Sequence, residues 1–340
     1  MIRIGNVCLT EKWDKLIEKK EFNRPCEEGK LHIEYGIEMK GNEYAFFVSG
    51  TEDGKEVTTN MFFQENDEGM FKKQLNRLRK LRPGGQDRKP GRQDDLPAGM
   101  EKCGFSCQDP TDSRSLLLRP LLGTLVSTDS CRLNFNWNVY PNLMPFEPAG
   151  HFLLVPSAHF PELPHFPQLL TPALIEDFFS ICKASMGLMI FFNCRHAGAT
   201  QDHFHLQAVS HTTQLPIEKI DWKSFKEGPL QYIGDPYPLN AVVYNLLEDK
   251  DACSKHIRKL QTKDSNDPFV PFNLIFLGRS IFLVPRDINN EIVPEFPNLL
   301  ASMEICGKFI LSEQDVFDNA TQDRIRVALG RIGLSLDCIV

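Results

Sequence analysis

Residues 193–207 read NCRHAGATQDHFHLQ, a stretch that joins a loop of small residues to two closely spaced histidines. Its last part continues as HFHLQAV at 203–209, which alternates polar and apolar residues and therefore predicts a β-strand. Because side chains alternate between the two faces of a strand, we expect His203, His205 and Gln207 on one face. Three polar side chains in a row, beside a loop of small residues, predict a functional site here.

Two kinds of chemistry fit this arrangement. In the first, a neutral imidazole attacks a phosphoryl group and forms a phosphoramidate that a second acceptor opens. Gln207 would then donate a hydrogen bond to a phosphoryl oxygen, and backbone N–H groups of the preceding loop would bind the others. In the second, His203 and His205 share a metal ion. The remaining metal ligands would be a carboxylate or one of three candidates, Cys103, Cys107 and His151.

The segments around the motif carry clear structural signals. Thr171 and Pro172 predict the start of a helix, because threonine caps helices and proline fits the first helical position. The apolar stripe of this helix is assigned to Leu174, Phe178, Ile181, Cys182 and Met189. Gly278 and Arg279 predict the turn of a hairpin. Other predicted elements are strands at 133–139, 151–156 and 188–193, hairpin strands at 272–277 and 280–285, and helices at 297–308 and 321–332.

The first hundred residues are the more polar part of the chain. Apolar runs separated by turn sequences predict short strands at 31–37, 43–48 and 57–63. Residues 70–82, MFKKQLNRLRKLR, predict a basic helix, and 83–99, PGGQDRKPGRQDDLPAG, predict a flexible linker or loop. We therefore expect an α+β protein whose residues 1–82 form a β-rich N-terminal portion.

Composition excludes several functional classes. The 340 residues include 38 Lys and Arg against 45 Asp and Glu, a formal net charge of −7, whereas a dedicated nucleic-acid binder normally has a basic excess. No apolar run reaches the roughly 20 residues that span a bilayer, and the start lacks the apolar core of a secretory signal. Ten scattered cysteines are typical of buried thiols in a cytosolic protein. We expect a cytoplasmic protein that binds neither nucleic acid nor membrane.

The motif and its surroundings resemble the histidine-triad (HIT) superfamily. HFHLQ is similar to the His-x-His-x-Gln signature of the branch that includes galactose-1-phosphate uridylyltransferase. GATQDHFHLQ at 198–207, followed by QLPIEK at 214–219, looks most like the GDP-hexose phosphorylases (GDP-D-glucose and GDP-L-galactose phosphorylase), with diadenosine tetraphosphate phosphorylases next. Segments 138–156 and 271–286 and the C-terminal stretch also fit, so the resemblance spans roughly 115–337.

The resemblance implies a HIT/uridylyltransferase-like tandem unit with antiparallel sheets flanked by helices, plus an N-terminal extension. It implies a catalytic half at 100–225 and a second, degenerate half at 226–340. His205 takes the place of the family's nucleophile, His203 that of the supporting histidine, and Gln207 that of the triad's third histidine. The resemblance also implies a nucleotide and phosphate pocket lined by Asn193, Gly198, Ala199, Thr200, Gln201 and, more loosely, Asn138.

The implied reaction is a two-step nucleotidyl transfer. His205 attacks the α-phosphorus of a GDP-hexose and expels hexose 1-phosphate, and inorganic phosphate, as co-substrate, then releases GDP. No cofactor is required. Relatives can carry a structural zinc, but Cys103 and Cys107 are spaced as C-x3-C, which favours two ordinary thiols. Relatives include dimers, so the resemblance allows a homodimer.

Three further functions stay open on the sequence alone. The first is a diadenosine tetraphosphate phosphorylase (ATP adenylyltransferase), which shares the histidine chemistry and differs in the base pocket. The second is a nucleotide-binding regulator that has lost turnover, although a protein that only binds has no need of a nucleophile. The third is a metal-dependent hydrolase that uses His203 and His205.

Overall fold

The computed structural model describes most of the chain from residue 121 onward and shorter parts before it. The described residues are 3–5, 7–18, 31–40, 43–52, 55–62, 65–66, 69–75, 121–142, 145–147, 149–157, 166–201, 203–224, 230–262, 269–297 and 299–339. For residues 17–18 and for the strands between 31 and 66 the description is confined to the backbone.

Most of the described residues belong to short helices and strands. The strands are β1 (Arg3–Ile4), β2 (Val7–Cys8), β3 (Leu31–Lys40), β4 (Glu43–Glu52), β5 (Lys55–Phe62), β6 (Glu65–Asn66), β7 (Lys72–Leu75), β8 (Gly123–Leu125), β9 (Asn136–Pro141), β10 (His151–Ser157), β11 (Ser185–Met186), β12 (Leu188–Asn193), β13 (Leu206–Ser210), β14 (Lys223–Ser224), β15 (Gln231–Ile233), β16 (Ala241–Asn245), β17 (Phe272–Leu277), β18 (Ser280–Pro285) and β19 (Lys308–Leu311). The helices are α1 (Leu9–Glu18), α2 (Pro172–Ala184), α3 (Lys250–Gln261), α4 (Ser302–Ile305), α5 (Gln314–Asp318) and α6 (Gln322–Ile332). Short 3₁₀ turns lie at Pro216–Lys219, Ile288–Asn290 and Leu336–Cys338.

A ten-stranded antiparallel sheet forms the centre of the molecule, in the order β14-β15-β16-β18-β17-β12-β13-β10-β9-β8. This order contains the same arrangement twice. Strands β8, β9 and β10, helix α2, and strands β12 and β13 follow one another along the chain, and β14, β15, β16, α3, β17 and β18 repeat the series. The two halves meet where β12 pairs with β17. The expected α+β tandem unit is therefore confirmed.

The two halves differ at the connection that follows β12 in the first half and β17 in the second, the two strands at which the halves meet. In the first half, residues 194–205 link β12 to β13, whereas in the second half the turn Gly278–Arg279 links β17 to β18 directly. Gly278 has φ +65°, as a tight hairpin turn requires. Since a two-residue turn cannot enclose a ligand, the long connection of the first half is the distinguishing feature of this sheet.

Apolar side chains cover both faces of the sheet. Helices α1, α2 and α3 pack on one face, where Trp13, Phe178 and Ile257 are buried. The C-terminal elements α4, β19, α5 and α6 pack on the other, where Phe309 and Leu329 are buried. Full burial of one such side chain contributes roughly 1.5–3 kcal/mol, so both layers stabilise the sheet. Among the described helices, none is long and apolar enough to cross a membrane.

The N-terminal portion is integrated into this core. The ring of Trp13 packs edge-on against Phe152 of β10, with centroids 5.3 Å apart. The strands predicted at 31–37, 43–48 and 57–63 are confirmed as β3, β4 and β5, which form a separate antiparallel sheet.

The predicted basic helix at 70–82 is wrong where the structure describes it. Lys72–Leu75 instead form β7, which pairs in parallel with β19. This pairing and the burial of Phe71 and Leu75 outweigh the helix propensity of the segment. Residues 76–82 and the linker or loop predicted at 83–99 lie outside the described residues.

The helices differ in how closely they follow the sequence signals. Helix α2 begins at the predicted cap, Thr171, and α6, predicted at 321–332, covers Gln322–Ile332 with Thr321 as its cap. Met189, assigned to the stripe of α2, instead lies on β12. The helix predicted at 297–308 is wrong, because only Ser302–Ile305 is helical and β19 follows. The reason is Gly307, whose φ of +91° ends the helix and turns the chain into a strand.

Candidate active site

His205 lies immediately before β13 and not on it. The strand predicted at 203–209 begins only at Leu206, because the preceding backbone groups bond to a different segment. The N–H of Phe204 donates to the carbonyl oxygen of Phe166 (2.7 Å), and the N–H of His205 donates to Oε1 of Gln168 (3.0 Å). Strand geometry therefore does not explain how His203 and His205 are held.

Gln168 connects His205 to the end of β12. Its Nε2 donates to the carbonyl oxygen of Asn193 (2.9 Å) and to that of His205 (3.2 Å). The Gln168 side chain is fully buried, so these hydrogen bonds are shielded from water. Sequence reasoning missed this residue, and no motif around Gln168 distinguishes it from an ordinary loop amide.

The His205 ring has a defined tautomer. Its Nδ1 lies 2.8 Å from the backbone oxygen of His203. A carbonyl oxygen can only accept, so Nδ1 carries the proton and donates it. In the neutral ring Nε2 then keeps its lone pair, as a nucleophile must. His205 is 5% exposed and His203 is fully buried, and His203 contributes its backbone oxygen to this geometry.

Gln207 lies on the sheet face opposite α1, α2 and α3, since it pairs with Phe191, which is buried on that opposite face. Its Oε1 lies 2.9 Å from Nε2 of His151. Nδ2 of Asn142 lies 2.9 Å from the same ring nitrogen. His151 is therefore brought to the motif by amide contacts.

Candidate metal ligands do not converge on His151 or on the motif histidines in the described part of the chain. Among the residues that the structure describes, no group of three or more His, Cys, Asp or Glu side chains is arranged to hold a metal ion. Cys103 and Cys107 lie outside the described residues. A site built on His151 would have the amides of Asn142 and Gln207 next to it, which are poor ligands for zinc.

The connection after β12 has a strained and tightly packed backbone. His196 has φ +57° and Gly198 has φ +88°. A Cβ on Gly198 would lie 2.7 Å from Cβ of Ala301 and 2.9 Å from its Cα, so only glycine fits. Ala199 is buried, and Thr200 and Gln201 are half-buried. The predicted loop residues thus follow directly from Asn193 and form one compact segment.

Asn138 lies on the same sheet face as Gln207 but two strands away, since β10 separates β9 from β13. Its Oδ1 accepts a hydrogen bond from Oγ1 of Thr124 (2.9 Å), and its Nδ2 donates to the hydroxyl of Tyr140 (3.3 Å). These two hydrogen bonds do not link Asn138 to the motif.

Asn193 is held by side chains that sequence reasoning missed. Its Oδ1 accepts hydrogen bonds from Nδ2 of Asn273 (2.7 Å) and from the hydroxyl of Ser302 (2.6 Å). Arg286 donates in turn to Oδ1 of Asn273 (2.8 Å). One signal could have found this group: Asn273 interrupts the apolar strand FNLIFL, and Arg286 directly follows SIFLVP.

Arg286 is a buried cation with two buried carboxylates, those of Glu291 and Glu304, near it. Burial lowers the pKa of its guanidinium to about 10, although the carboxylates of Glu291 and Glu304 act in the opposite direction. Arg286 is therefore still protonated at neutral pH. Glu291 also lies 3.5 Å from Nδ1 of His196, in the loop itself. A buried positive charge thus lies behind the loop that follows β12.

The chain was compared with protein-family models, with curated proteins and with solved structures. Neither a protein-family model nor a curated protein matches the chain. Solved structures of yeast Ap4A phosphorylase Apa2 do. The complex with Ap4A has a TM-score of 0.56 and 15% identity, covering 98% of this chain and 99% of that one. The structure without a named ligand has a TM-score of 0.55 and 16% identity, covering 98% of this chain and 96% of that one. The complex with AMP has a TM-score of 0.55 and 17% identity, covering 98% of both chains.

These likenesses cover nearly the whole length of the chain. All three neighbours are Ap4A phosphorylase structures, so they do not support the narrower resemblance to GDP-hexose phosphorylases. At such low identity they establish the architecture alone. The chain therefore has the α+β fold found in yeast Ap4A phosphorylase.

Proposed function

We propose that this protein is a nucleotide phosphorylase that acts through a nucleotidyl group carried on His205. The observation that carries the proposal is the hydrogen bond from Nδ1 of His205 to the backbone oxygen of His203 (2.8 Å). It leaves Nε2 as the basic nitrogen of a neutral ring and fixes the plane of that ring. A regulator that only binds nucleotides would have no use for this arrangement.

The reaction has two in-line displacements at one phosphorus atom. In the first, Nε2 of His205 forms a bond to the α-phosphorus, and the bond from that phosphorus to the bridging oxygen breaks, so the rest of the substrate leaves with the oxygen. In the second, an oxygen of inorganic phosphate attacks the same phosphorus, the P–N bond breaks, and His205 regains its lone pair. Catalysis rests on positioning and on hydrogen bonds to the phosphoryl oxygens. No cofactor is needed for either step.

Gln207 and the loop supply those hydrogen bonds in this proposal. Oε1 of Gln207 lies 2.9 Å from Nε2 of His151, and in this proposal Nε2 of Gln207 donates to a phosphoryl oxygen. An amide has no titratable proton in this range, so Gln207 contributes a hydrogen bond and no acid or base catalysis. The backbone N–H groups at 198–201 are donors for the remaining oxygens.

Two substrate classes each have one observation in their favour. The structural neighbours are Ap4A phosphorylases, one of them with Ap4A bound, which favours a dinucleoside polyphosphate. The sequence resemblance over 115–337 favours a GDP-hexose. Of the two, the comparisons favour the dinucleoside polyphosphate, and we propose it as the first substrate to test.

The test is a product assay with both substrate classes. The protein is incubated with Ap4A, GDP-glucose or GDP-galactose, with and without inorganic phosphate, and the nucleotides are separated by ion-exchange chromatography. Phosphate-dependent release of ADP and ATP from Ap4A would support the first class, and GDP release the second. Both should vanish in His205→Ala. Turnover that is equal in His205→Ala and the parent would refute the proposal.

The product assay also distinguishes a phosphorylase from a metal-dependent hydrolase and from a nucleotide-binding regulator. Addition of EDTA should leave the rate of a phosphorylase unchanged, and a rate that EDTA abolishes would favour the hydrolase. If nucleotide binds but no substrate is converted, the regulator becomes the better interpretation.

A further inference from the structure

A chain of three buried polar side chains crosses the centre of the sheet, where the two halves meet. Asn193 and Asn273 are opposite one another on the paired strands β12 and β17. Nδ2 of Asn273 donates to Oδ1 of Asn193 (2.7 Å), and Nη1 of Arg286 donates to Oδ1 of Asn273 (2.8 Å). Asn273 and Arg286 are fully buried, and Asn193 is 4% exposed.

The donors in this chain determine which way each amide is turned. A guanidinium has no acceptor, so the atom of Asn273 that faces Arg286 must be its oxygen. Nδ2 of Asn273 therefore faces the other way, where it also donates to the backbone oxygen of Ala197 (2.8 Å). The atom of Asn193 that Asn273 meets must then be Oδ1.

Ser302 imposes the same orientation on Asn193 independently. Its backbone N–H, which can only donate, lies 3.3 Å from Oδ1 of Asn193, and its hydroxyl lies 2.6 Å away. Oδ1 of Asn193 thus accepts from both Ser302 donors and from Asn273. No hydrogen bond among the described residues uses Nδ2 of Asn193, at the end of β12 where the loop begins.

We propose that Arg286, Asn273 and Ser302 are positioning residues that fix the amide of Asn193 with its Nδ2 directed at the phosphoryl group transferred to His205. This inference rests on the proposed function. It gives the second half of the sheet a role in orienting Asn193, although that half has a two-residue turn in place of the long connection at 194–205. Arg286 determines the direction of these hydrogen bonds, because its guanidinium can only donate.

The same residues also hold the loop. Arg286 donates to the backbone oxygen of Leu300 (3.0 Å), and the neighbouring Ala301 is the residue against which Gly198 packs. Burying an arginine costs free energy that an apolar side chain would not, so stability alone gives no reason for this group. The need to hold the Asn193 amide in one orientation for the transfer to His205 explains the group.

The decisive experiment is a double-mutant cycle on kcat for phosphorolysis of Ap4A and of GDP-glucose. Asn273→Asp replaces the donor to Oδ1 of Asn193 with an oxygen that repels it, so the Asn193 amide is no longer held with its Nδ2 toward the phosphoryl group. We expect kcat to fall about 10²-fold, as for loss of one donor to a developing charge, with a smaller change in KM. Asn193→Ala should cause a similar loss.

The double variant decides between positioning and general damage. If Asn273 acts through Asn193, combining Asn273→Asp with Asn193→Ala should cost no more than Asn193→Ala alone. Losses that multiply would overturn the inference, as would an Asn273→Asp protein with the parent's kcat. Asn240→Asp is the matched control, because it removes a similar bond, from Nδ2 to the backbone oxygen of Leu334 (3.2 Å), away from the site. Its kcat should be that of the parent.

Ser302→Ala covers the case in which Asn273→Asp does not fold. It removes one of the donors to Oδ1 of Asn193 and should lower kcat severalfold, with no further loss when combined with Asn193→Ala. Unchanged kcat in Ser302→Ala would count against the inference.

A second measurement does not depend on turnover and so separates this inference from the proposed function. In protein labelled with ¹⁵N-asparagine, the side-chain signal of Asn193 is the one missing in Asn193→Ala. AMP or GMP should shift this signal in the parent and shift it less in Ser302→Ala, where one of the donors to Oδ1 of Asn193 is lost. A signal that neither nucleotide moves in the parent, or that moves equally in the variant, would overturn the inference, even where the product assay succeeds.

Discussion

Gln168 shows how a single buried side chain can hold two parts of a site that are distant in sequence. Its amide accepts from the N–H of His205 and donates to the backbone oxygens of His205 and Asn193. The nucleophile segment and the end of β12 are thereby held at a fixed separation. Such contacts depend on where the chain returns to itself, and for this reason no local pattern predicts them.

We expect Gln168→Leu to lower both stability and activity. The change leaves buried N–H and C=O groups without partners, which costs about 1–3 kcal/mol for each group. It also frees the His205 backbone, so kcat should fall more than KM rises. Urea unfolding and steady-state kinetics measure the two effects.

Gln261→Leu is the matched control for this prediction. The amide of Gln261 makes the same kind of pair, with the backbone N–H (2.9 Å) and oxygen (2.8 Å) of Leu170. Its loss should reduce stability by a similar amount and leave kcat unchanged. If Gln168→Leu were destabilised no less than Gln261→Leu but kept full kcat, the role of Gln168 in holding His205 would be wrong.

Gly198 is the second residue whose replacement tests the site. In Gly198→Ala the new methyl group meets Ala301 at 2.7 Å, in addition to the cost of a positive φ. We expect a loss of about 2 kcal/mol or more in unfolding free energy and a lower kcat. Gly278→Ala isolates the backbone cost, since its φ is +65° and no atom lies within 4 Å of the added Cβ. Equal losses in the two variants would show that contact with Ala301 is not what excludes a side chain at 198.

At the scale of elements, the carboxylate of Asp177 on α2 fixes the start of β9. Oδ1 accepts from the backbone N–H of Asn134 (2.6 Å), and Oδ2 accepts from the N–H of Phe135 (3.0 Å) and from Nε1 of Trp137 (2.8 Å). These bonds join α2 to the start of β9, on the sheet face away from Gln207.

Asp177→Asn should therefore destabilise the protein without changing its chemistry. Whichever way the new amide is turned, its NH₂ group faces an N–H donor, and we expect a loss of about 2 kcal/mol. Thermal unfolding of Asp177→Asn measures this, with Asp251→Asn, an exposed acid on α3, as the control. An unchanged melting temperature, or a kcat that falls although the protein is folded, would show that Asp177 has a different role.

Elements were predictable from sequence wherever a local signal determines them. The caps Thr171 and Thr321 and the turn at Gly278 mark their elements directly, because each fills a defined hydrogen-bonding or φ requirement. The segment at 72–75 was not predictable, because its strand forms only against β19, more than two hundred residues away in the sequence. The helix or strand propensity of a segment does not depend on a pairing partner so far away in the sequence, so it could not predict this strand.

The candidate site was predictable to a similar extent. The motif singles out His205 and Gln207 as candidates, since three polar residues on an apolar background stand out, and their roles stay predictions. The expectation that a strand face presents His205 was nevertheless wrong, because its backbone bonds to Gln168 and not to a neighbouring strand. Asn273 and Arg286 contribute from the second half of the sheet, and their relation to Asn193 exists only once the two halves are paired.

At the scale of the whole molecule, burial makes stability sensitive to alkaline pH. It raises the pKa of the thiols of Cys182, Cys253 and Cys306 above the ordinary value of 9.0. Above about pH 9 the unfolded chain releases these protons while the folded chain keeps them, so the free energy of unfolding falls as pH rises. The contribution is fully present at lower pH.

Urea unfolding at a series of pH values tests this expectation. Each such thiol adds a slope of about 1.4 kcal/mol per pH unit above about pH 9. Cys306→Ala should make the decline shallower than in the parent, whereas Cys338→Ala, at a partly exposed thiol, should leave it unchanged. A stability that is constant or rises over this range would contradict the assignment of these thiols as buried.

Trapping the nucleotidyl intermediate is the sharpest test of whether His205 is the nucleophile. The protein is mixed with Ap4A or GDP-glucose without phosphate, and its mass is measured intact and after proteolysis. We predict one added nucleotidyl group, located on His205, absent from His205→Ala, and removed on addition of phosphate with release of the nucleoside diphosphate. An adduct on another residue, an adduct that persists in His205→Ala, or phosphate-dependent turnover without any adduct would contradict this mechanism.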